Sequence, residues 1–136
     1  MASRTVFDTN IWISYFIGKK TNEIMKMTEK SVTLLHSAPS VDELIEVLSR
    51  KKFEKYKLEL SDIILFYTNI SEFCPTEPLF SACPDPKDNF LFDLALQGNA
   101  KYLVSGDKAV LSTPVSSETL KVTTLPVFKE YLQIHY

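Results

Sequence analysis

Cysteine and histidine are scarce in this chain: Cys74, Cys83, His36 and His135 are all it has in 136 residues. The cysteines lack the close spacing of a zinc pair, and the histidines lie far from them in sequence. No zinc site is expected, and the thiols read as free in a reducing compartment. Long hydrophobic runs are missing too; none reaches the roughly 20 residues that a membrane-crossing helix needs. The start, MASRTVFDTN, has no long apolar stretch behind a charged end, so the expectation is no secretion signal and a cytoplasmic setting. Nor is there an excess of cations. Fifteen Lys and Arg against seventeen Asp and Glu give a formal net charge of −2, which excludes a strongly basic nucleic-acid footprint over the whole surface. With no repeats, low-complexity segments or linkers, a single domain over residues 1–136 is expected.

What is present is an alternation of short β-branched runs with longer helical patterns. RTVF (4–7), VTLLHS (from Val32) and YLVS (102–105) read as strands, as does LKVTT (from Leu120), with a short edge strand at 70–73. Between them, IWISYFIG reads as a buried helix ending at Gly18, and 22–30, 88–97 and 124–133 read as further helices. Ser40 is expected to open another helix through a capping box with Glu43, and Ser61 to cap one over 62–67. Pro75, Pro78, Pro84 and Pro86 mark an irregular loop. Strands alternating with helices predict an α/β fold with a mostly parallel sheet covered on both faces. Ligands on such sheets bind beyond the carboxyl ends of the strands.

Acids stand at that edge. TVFD ends in Asp8 and YLVSGD in Asp107, while Glu43 and Asp88 lie near the starts of helices, which reach the same edge. Four carboxylates from four distant segments would repel one another unless cations lay between them. Hard, oxygen-ligated ions suit such a site: Mg²⁺ or Mn²⁺, able to polarise a phosphoryl oxygen and lower the pKa of a bound water. Each acid also has a plainer employment. Glu43 could complete the capping box, Asp88 sit at a helix start favoured by the dipole, Asp107 shape a turn and Asp8 cap the following helix. Asp93 reads equally as a fifth acid at the metal or as a solvated face residue, and Asp85 as a loop residue or cap. Asn10 and Ser105 are placed to orient Asp8 and Asp107 or to cap.

The segments VFDTNIWIS, SVDELIEVL, CPDPKDNFLFDLAL and YLVSGDK resemble, in order and spacing, those of the PIN-domain family, and within it the toxin components of toxin–antitoxin systems related to VapC. The resemblance covers essentially the whole chain. It implies a Mg²⁺- or Mn²⁺-dependent ribonuclease on a three-layer α/β/α fold with a central, mostly parallel five-stranded sheet. It places the metal and catalytic acids at Asp8, Glu43, Asp88 and Asp107, an often acidic position at Asp93, and the accompanying Asn and Ser at Asn10 and Ser105. It further implies a homodimer and a protein antitoxin. Ala109 departs from the pattern, standing where the family often has another acid.

For RNA, the run Arg50, Lys51, Lys52, Lys55 and Lys57 is the candidate phosphate contact, against a solvated helix end. Trp12, Tyr15 and Phe16 are candidates for base stacking, against packing on the sheet. Other classes compete with the nuclease. A haloacid-dehalogenase type of phosphoryl hydrolase would want a second aspartate where Asn10 stands. A receiver module would want paired acids near the first strand. An inactive, PIN-like binding or regulatory module keeps the fold without turnover.

Overall fold

The sheet is built on β1 (Ser3–Phe7), whose neighbours are β2 (Val32–His36) and β4 (Tyr102–Val104), with β3 (Ser71–Phe73) and β5 (Lys121–Thr123) outermost. This computed structural model describes residues 2–135, with side chains through 133, so residues 1 and 136 of the expected domain lie outside it. All pairings are parallel, in the order β3-β2-β1-β4-β5. Among the described residues seven α-helices accompany the strands: α1 (Thr9–Ile17), α2 (Thr21–Lys30), α3 (Ala38–Leu48), α4 (Leu60–Ile70), α5 (Asn89–Gln97), α6 (Lys108–Leu111) and, after the last strand, α7 (Leu125–His135).

The period-2 alternation of a strand divides the core in two. Phe7, Leu34, Tyr102 and Val104 point to one face, where they meet Trp12, Phe16, Leu44, Tyr67 and Phe128 from the helices. Val6, Leu35 and Leu103 point to the other, against Leu91, Phe92, Leu94 and Val110. Burial on both faces suits the central strands, where Leu34–Leu35 and Tyr102–Val104 are consecutive buried apolar residues. The result is the expected three-layer α/β/α arrangement.

Trp12, Tyr15 and Phe16 are buried, at 1%, 3% and 5% exposure. Trp12 packs edge-on to Tyr67 with ring centroids 4.7 Å apart. The plainer expectation, packing against the sheet, holds for them, and base stacking does not.

Three local expectations change. The helix expected to open at Ser40 begins at Ala38, capped by Ser37. The capping box joins Ser37 and Ser40, whose hydroxyls each accept from the other's amide at 3.3 and 2.8 Å. Pro39, in the first turn, fits there because that turn needs no amide partner. Glu43 is therefore no cap and sits in the second turn. Ser61 lies inside α4, which starts two residues earlier than expected, at Leu60 after Glu59. The basic stretch forms a 3-10 helix over Lys51–Tyr56.

The helices expected to stop at glycines do stop there, for another reason. At both helix ends the residue in the left-handed region is the one after the glycine, Lys19 and Asn99, at φ 54° in both cases. Gly98 is required by space: a Cβ there would come within 2.6 Å of the Leu94 carbonyl oxygen and 2.8 Å of Leu35 Cδ1.

Candidate active site

The strand order reverses direction between β1 and β4, and at such a switch point a crevice opens beyond the strand ends. Asp8 and Asp107 stand there. Phe7 pairs with Val104, and Asp8 continues the ladder by donating its amide to the Val104 carbonyl at 2.8 Å. Asp8 is 7% exposed. Burial raises its pKa above the ordinary 3.8, and the Asp107 charge pushes the same way. The Ser105 hydroxyl, donating to Oδ2 at 2.7 Å, and the nearby Thr9 and Asn10 amides favour the charged form. Those amides complete no side-chain cap, although Asp8 occupies the N-cap position of α1. The Asn10 side chain is exposed, so its backbone, not its carboxamide, is what acts on Asp8.

Ser105 is fully buried and joins the two acid-bearing strand ends: its oxygen also accepts the Asp107 amide at 3.0 Å. Asp107 is exposed and caps α6, Oδ1 accepting from the Ala109 amide at 2.9 Å. The turn-and-cap employment and proximity to Asp8 thus occur together. The position where the family often has an acid supplies a backbone donor.

Asp88 ends a 3-10 turn (Pro86–Asp88) that Asp85 caps through the Lys87 amide at 3.0 Å. It makes no capping bond to α5. Burial is the largest cause raising its pKa, to about 6, and Asp8, Asp107, Asp85 and Glu43 all add to it. Glu43 is also raised, by burial first and then by Glu46, with Asp8 contributing; Arg50 and Lys87 oppose. Asp8, Glu43 and Asp88 are thus linked electrostatically, and Asp107 acts on both Asp8 and Asp88. The two ion pairs among the described residues, Arg4–Glu72 and Arg50–Glu46, include none of them.

An all-carboxylate donor set fits a hard divalent ion, and mutual repulsion is what such an ion relieves. Among the described residues, however, no three His, Cys, Asp or Glu side chains are grouped tightly enough to hold one ion together. Mg²⁺ commonly takes one or two carboxylates and keeps several waters, so this spacing fits a hydrated ion better than a closed cage.

Asp93 has a different employment from either one expected. It is 6% exposed, so it is not a solvated face residue. Its Oδ1 accepts the Leu79 and Phe80 amides at 3.0 and 2.7 Å and the Gln97 side-chain amide at 3.3 Å. It does not figure among the acids acting on Asp8, Glu43 or Asp88.

The basic run lies on the exposed 3-10 helix after α3. Arg50 is paired with Glu46 at 2.8 Å, and Lys52 and Lys55 lie over the Phe53 and Tyr56 rings. Of this run, Arg50 is the residue that acts on Glu43. A cavity of about 460 Å³ between Leu48, Phe53, Leu58 and Ile63 adjoins the run and contains none of the four acids. Sequence reading passed over Lys87, the cation that reaches Glu43 from the segment bearing Asp88; its place beside Asp88 in DPKDN was the available signal.

The PIN domain family model matches residues 4–109. No curated protein matches the sequence. Among solved structures, the chain is similar to the crystal structure of VapBC2 from Rickettsia felis bound to a DNA fragment from their promoter. Identity there is 17%, the TM-score 0.57, and the match covers 89% of this chain and 98% of that one. It is also similar to PAE2754 from Pyrobaculum aerophilum, at 13% identity and a TM-score of 0.60 over 99% of this chain and 92% of that one. At these identities the likeness is one of fold.

Proposed function

This chain belongs to the PIN-domain family, and on that premise we propose that it is a Mg²⁺- or Mn²⁺-dependent ribonuclease that hydrolyses RNA phosphodiester bonds. The observation that carries the reading is the mutual repulsion of Asp8, Glu43, Asp88 and Asp107, none of them ion-paired among the described residues, at the sheet's switch point. Carboxylates that destabilise one another are retained where a cation is to be bound.

Asp8 and Asp107 would hold the ion from the strand ends, with Asp88 and Glu43 completing the charge. When bound, the ion would supply a water of lowered pKa and neutralise charge on a phosphoryl oxygen. Ser105 fixes the rotamer of Asp8 and the position of the Asp107 backbone, so both carboxylates are preorganised. Asp88, its pKa raised to about 6 by burial and by the neighbouring acids, is mostly ionised at neutral pH and would meet the ion as a carboxylate. Lys87, the cation that acts on Glu43 from beside Asp88, would meet a substrate phosphate at the acids. The fold likeness to VapBC2 supports placing the chain on the toxin side of a toxin–antitoxin pair. That placement brings with it a protein antitoxin, a homodimer and a cytoplasmic setting.

A second reading, an inactive PIN-like binding module, is favoured by the loose spacing of the acids. One experiment separates the two. Mixed structured and single-stranded RNAs are incubated with the chain and with Asp8→Asn, in EDTA, Mg²⁺ and Mn²⁺. Metal-dependent cleavage lost in the variant is the expected result. Metal binding without cleavage would leave the inactive module standing.

A further inference from the structure

Asp88 is flanked by Lys87 and Asn89, and both line a groove of about 360 Å³ that also takes in Pro39, Phe80, Phe90 and Asp93. We propose that this groove is a nucleotide subsite, which receives a base of single-stranded RNA next to the phosphate at the acids, with Lys87 on a phosphate and Asn89 on the base edge. The assignment rests on the ribonuclease reading and adds to it where the substrate's bases go.

The wall of the groove is built. The proline-rich segment before α5 has no regular strand or helix to pair its amides, and side chains of α5 accept four of them. Gln97 clamps Glu77 from both sides, its Oε1 accepting the Glu77 amide at 2.8 Å and its Nε2 donating to the Glu77 carbonyl at 2.7 Å. One turn earlier, Asp93 takes the Leu79 and Phe80 amides. Phe80 is further seated by stacking on Phe92, with centroids 4.6 Å apart and planes 13° from parallel. A segment with no regular structure is thereby held as a fixed surface.

The lining suits a nucleotide. Phe80 and Phe90 are half-buried, and together with proline rings they offer the flat apolar surface on which bases of any identity stack. Asn89 has a defined orientation: its Oδ1 accepts the Cys83 amide at 3.1 Å, which leaves its NH₂ as the donor for a base edge. Lys87 is exposed and in no ion pair among the described residues. It lines the groove and also acts on Glu43. A polyanion carrying planar rings matches this combination. An acidic peptide would use the cation and leave the stacking surface idle.

The test is fluorescence anisotropy of labelled hexanucleotides of A, C and U, in Mg²⁺, on full chains carrying Asp8→Asn to prevent turnover. Lys87→Ala is expected to weaken all three equally and to lower the slope of log affinity against log salt by about 0.7. Asn89→Asp, which keeps the acceptor for Cys83 but removes the donor, is expected to shrink the spread between the three bases. Absence of RNA binding, or binding indifferent to both substitutions and reduced by Lys52→Ala and Lys55→Ala, overturns the subsite. Cleavage by the otherwise unaltered chain is scored separately in Mn²⁺. Cleavage with binding indifferent to Lys87 and Asn89 removes the subsite and keeps the nuclease. Binding as expected with no cleavage removes the nuclease and keeps the subsite.

Discussion

The hydroxyl of Ser105 donates to Asp8 Oδ2 at 2.7 Å across 97 residues of sequence, and the same oxygen accepts the amide of Asp107 at 3.0 Å. One small buried side chain thus sets the rotamer of one candidate metal ligand and the backbone of another. Ser105→Ala leaves a buried carboxylate short of a donor and an amide short of an acceptor. It is expected to cost about 1–3 kcal/mol in denaturant unfolding and to weaken Mg²⁺ or Mn²⁺ binding about 10–100-fold by calorimetry. Unchanged metal affinity would remove Ser105 from any positioning role.

Without metal, the crowded acids make stability depend on pH. Folding raises the pKa of Asp88 from 3.8 to about 6 and raises Asp8 and Glu43 in the same direction. The folded chain then holds more protons than the unfolded one through that interval. The contribution is fully present below the ordinary carboxylate value and is lost as pH rises through 6. In EDTA, Asp88→Asn is expected to match the wild type near pH 3.5 and to melt higher at pH 7. Saturating Mg²⁺ is expected to narrow the difference. Melting curves in parallel at the two pH values check it, and a variant less stable at pH 7 contradicts it.

Asp93 and Asp8 separate structure from chemistry. Asp93→Ala strips the Leu79 and Phe80 amides of their acceptor, at a cost of about 1–3 kcal/mol. It is expected to leave metal affinity within about twofold. Asp8→Asn is expected to abolish metal binding and leave the fold at least as stable. The reverse pattern in a paired unfolding and metal titration would exchange the two roles.

Tyr15 buries its hydroxyl with no hydrogen-bond partner among the described residues, and burial pushes its pKa up to about 12. A buried hydroxyl left unpaired costs about 1–3 kcal/mol. Tyr15→Phe is therefore expected to be neutral or stabilising, by up to that amount, in chemical denaturation. A loss above 1 kcal/mol, on that same scale, would reveal a water bridging the hydroxyl.

Gly98→Ala puts a methyl against the Leu94 carbonyl and Leu35. A Cβ at 2.6 Å from the Leu94 carbonyl oxygen forces the last turn of α5 to distort, and Leu35 must give way as well, at an expected cost of about 1–3 kcal/mol. Thermal unfolding compared with Gly18→Ala, where the nearest atom would be 3.1 Å away, tests whether space or backbone freedom fixes these glycines.

The sequence by itself determined the layer architecture. Runs such as VTLLH and YLV, apolar on both alternating faces, can be buried only between two layers of helices, and their separation by helical stretches imposes parallel crossovers. Period and composition are local properties, so they are legible in order along the chain. The same holds for the acids at the ends of TVFD and YLVSGD, because an ionised group after an apolar strand has few places to go. Helix starts were less legible. SAPS offers two serines three residues apart, and only the extended backbone of Ser37 makes it the cap.

Tertiary structure alone decided which acids belong together. Asp88 and Asp93 share one segment and look alike in sequence, yet one lies in the crevice with Asp8 and the other is consumed by the amides of a proline-rich loop. That choice depends on where the loop before α5 packs, which no periodicity encodes. Likewise the order β3-β2-β1-β4-β5 sets Asp8 beside Asp107. Strand order is fixed by the total burial of two cores, a sum over contacts far apart in sequence.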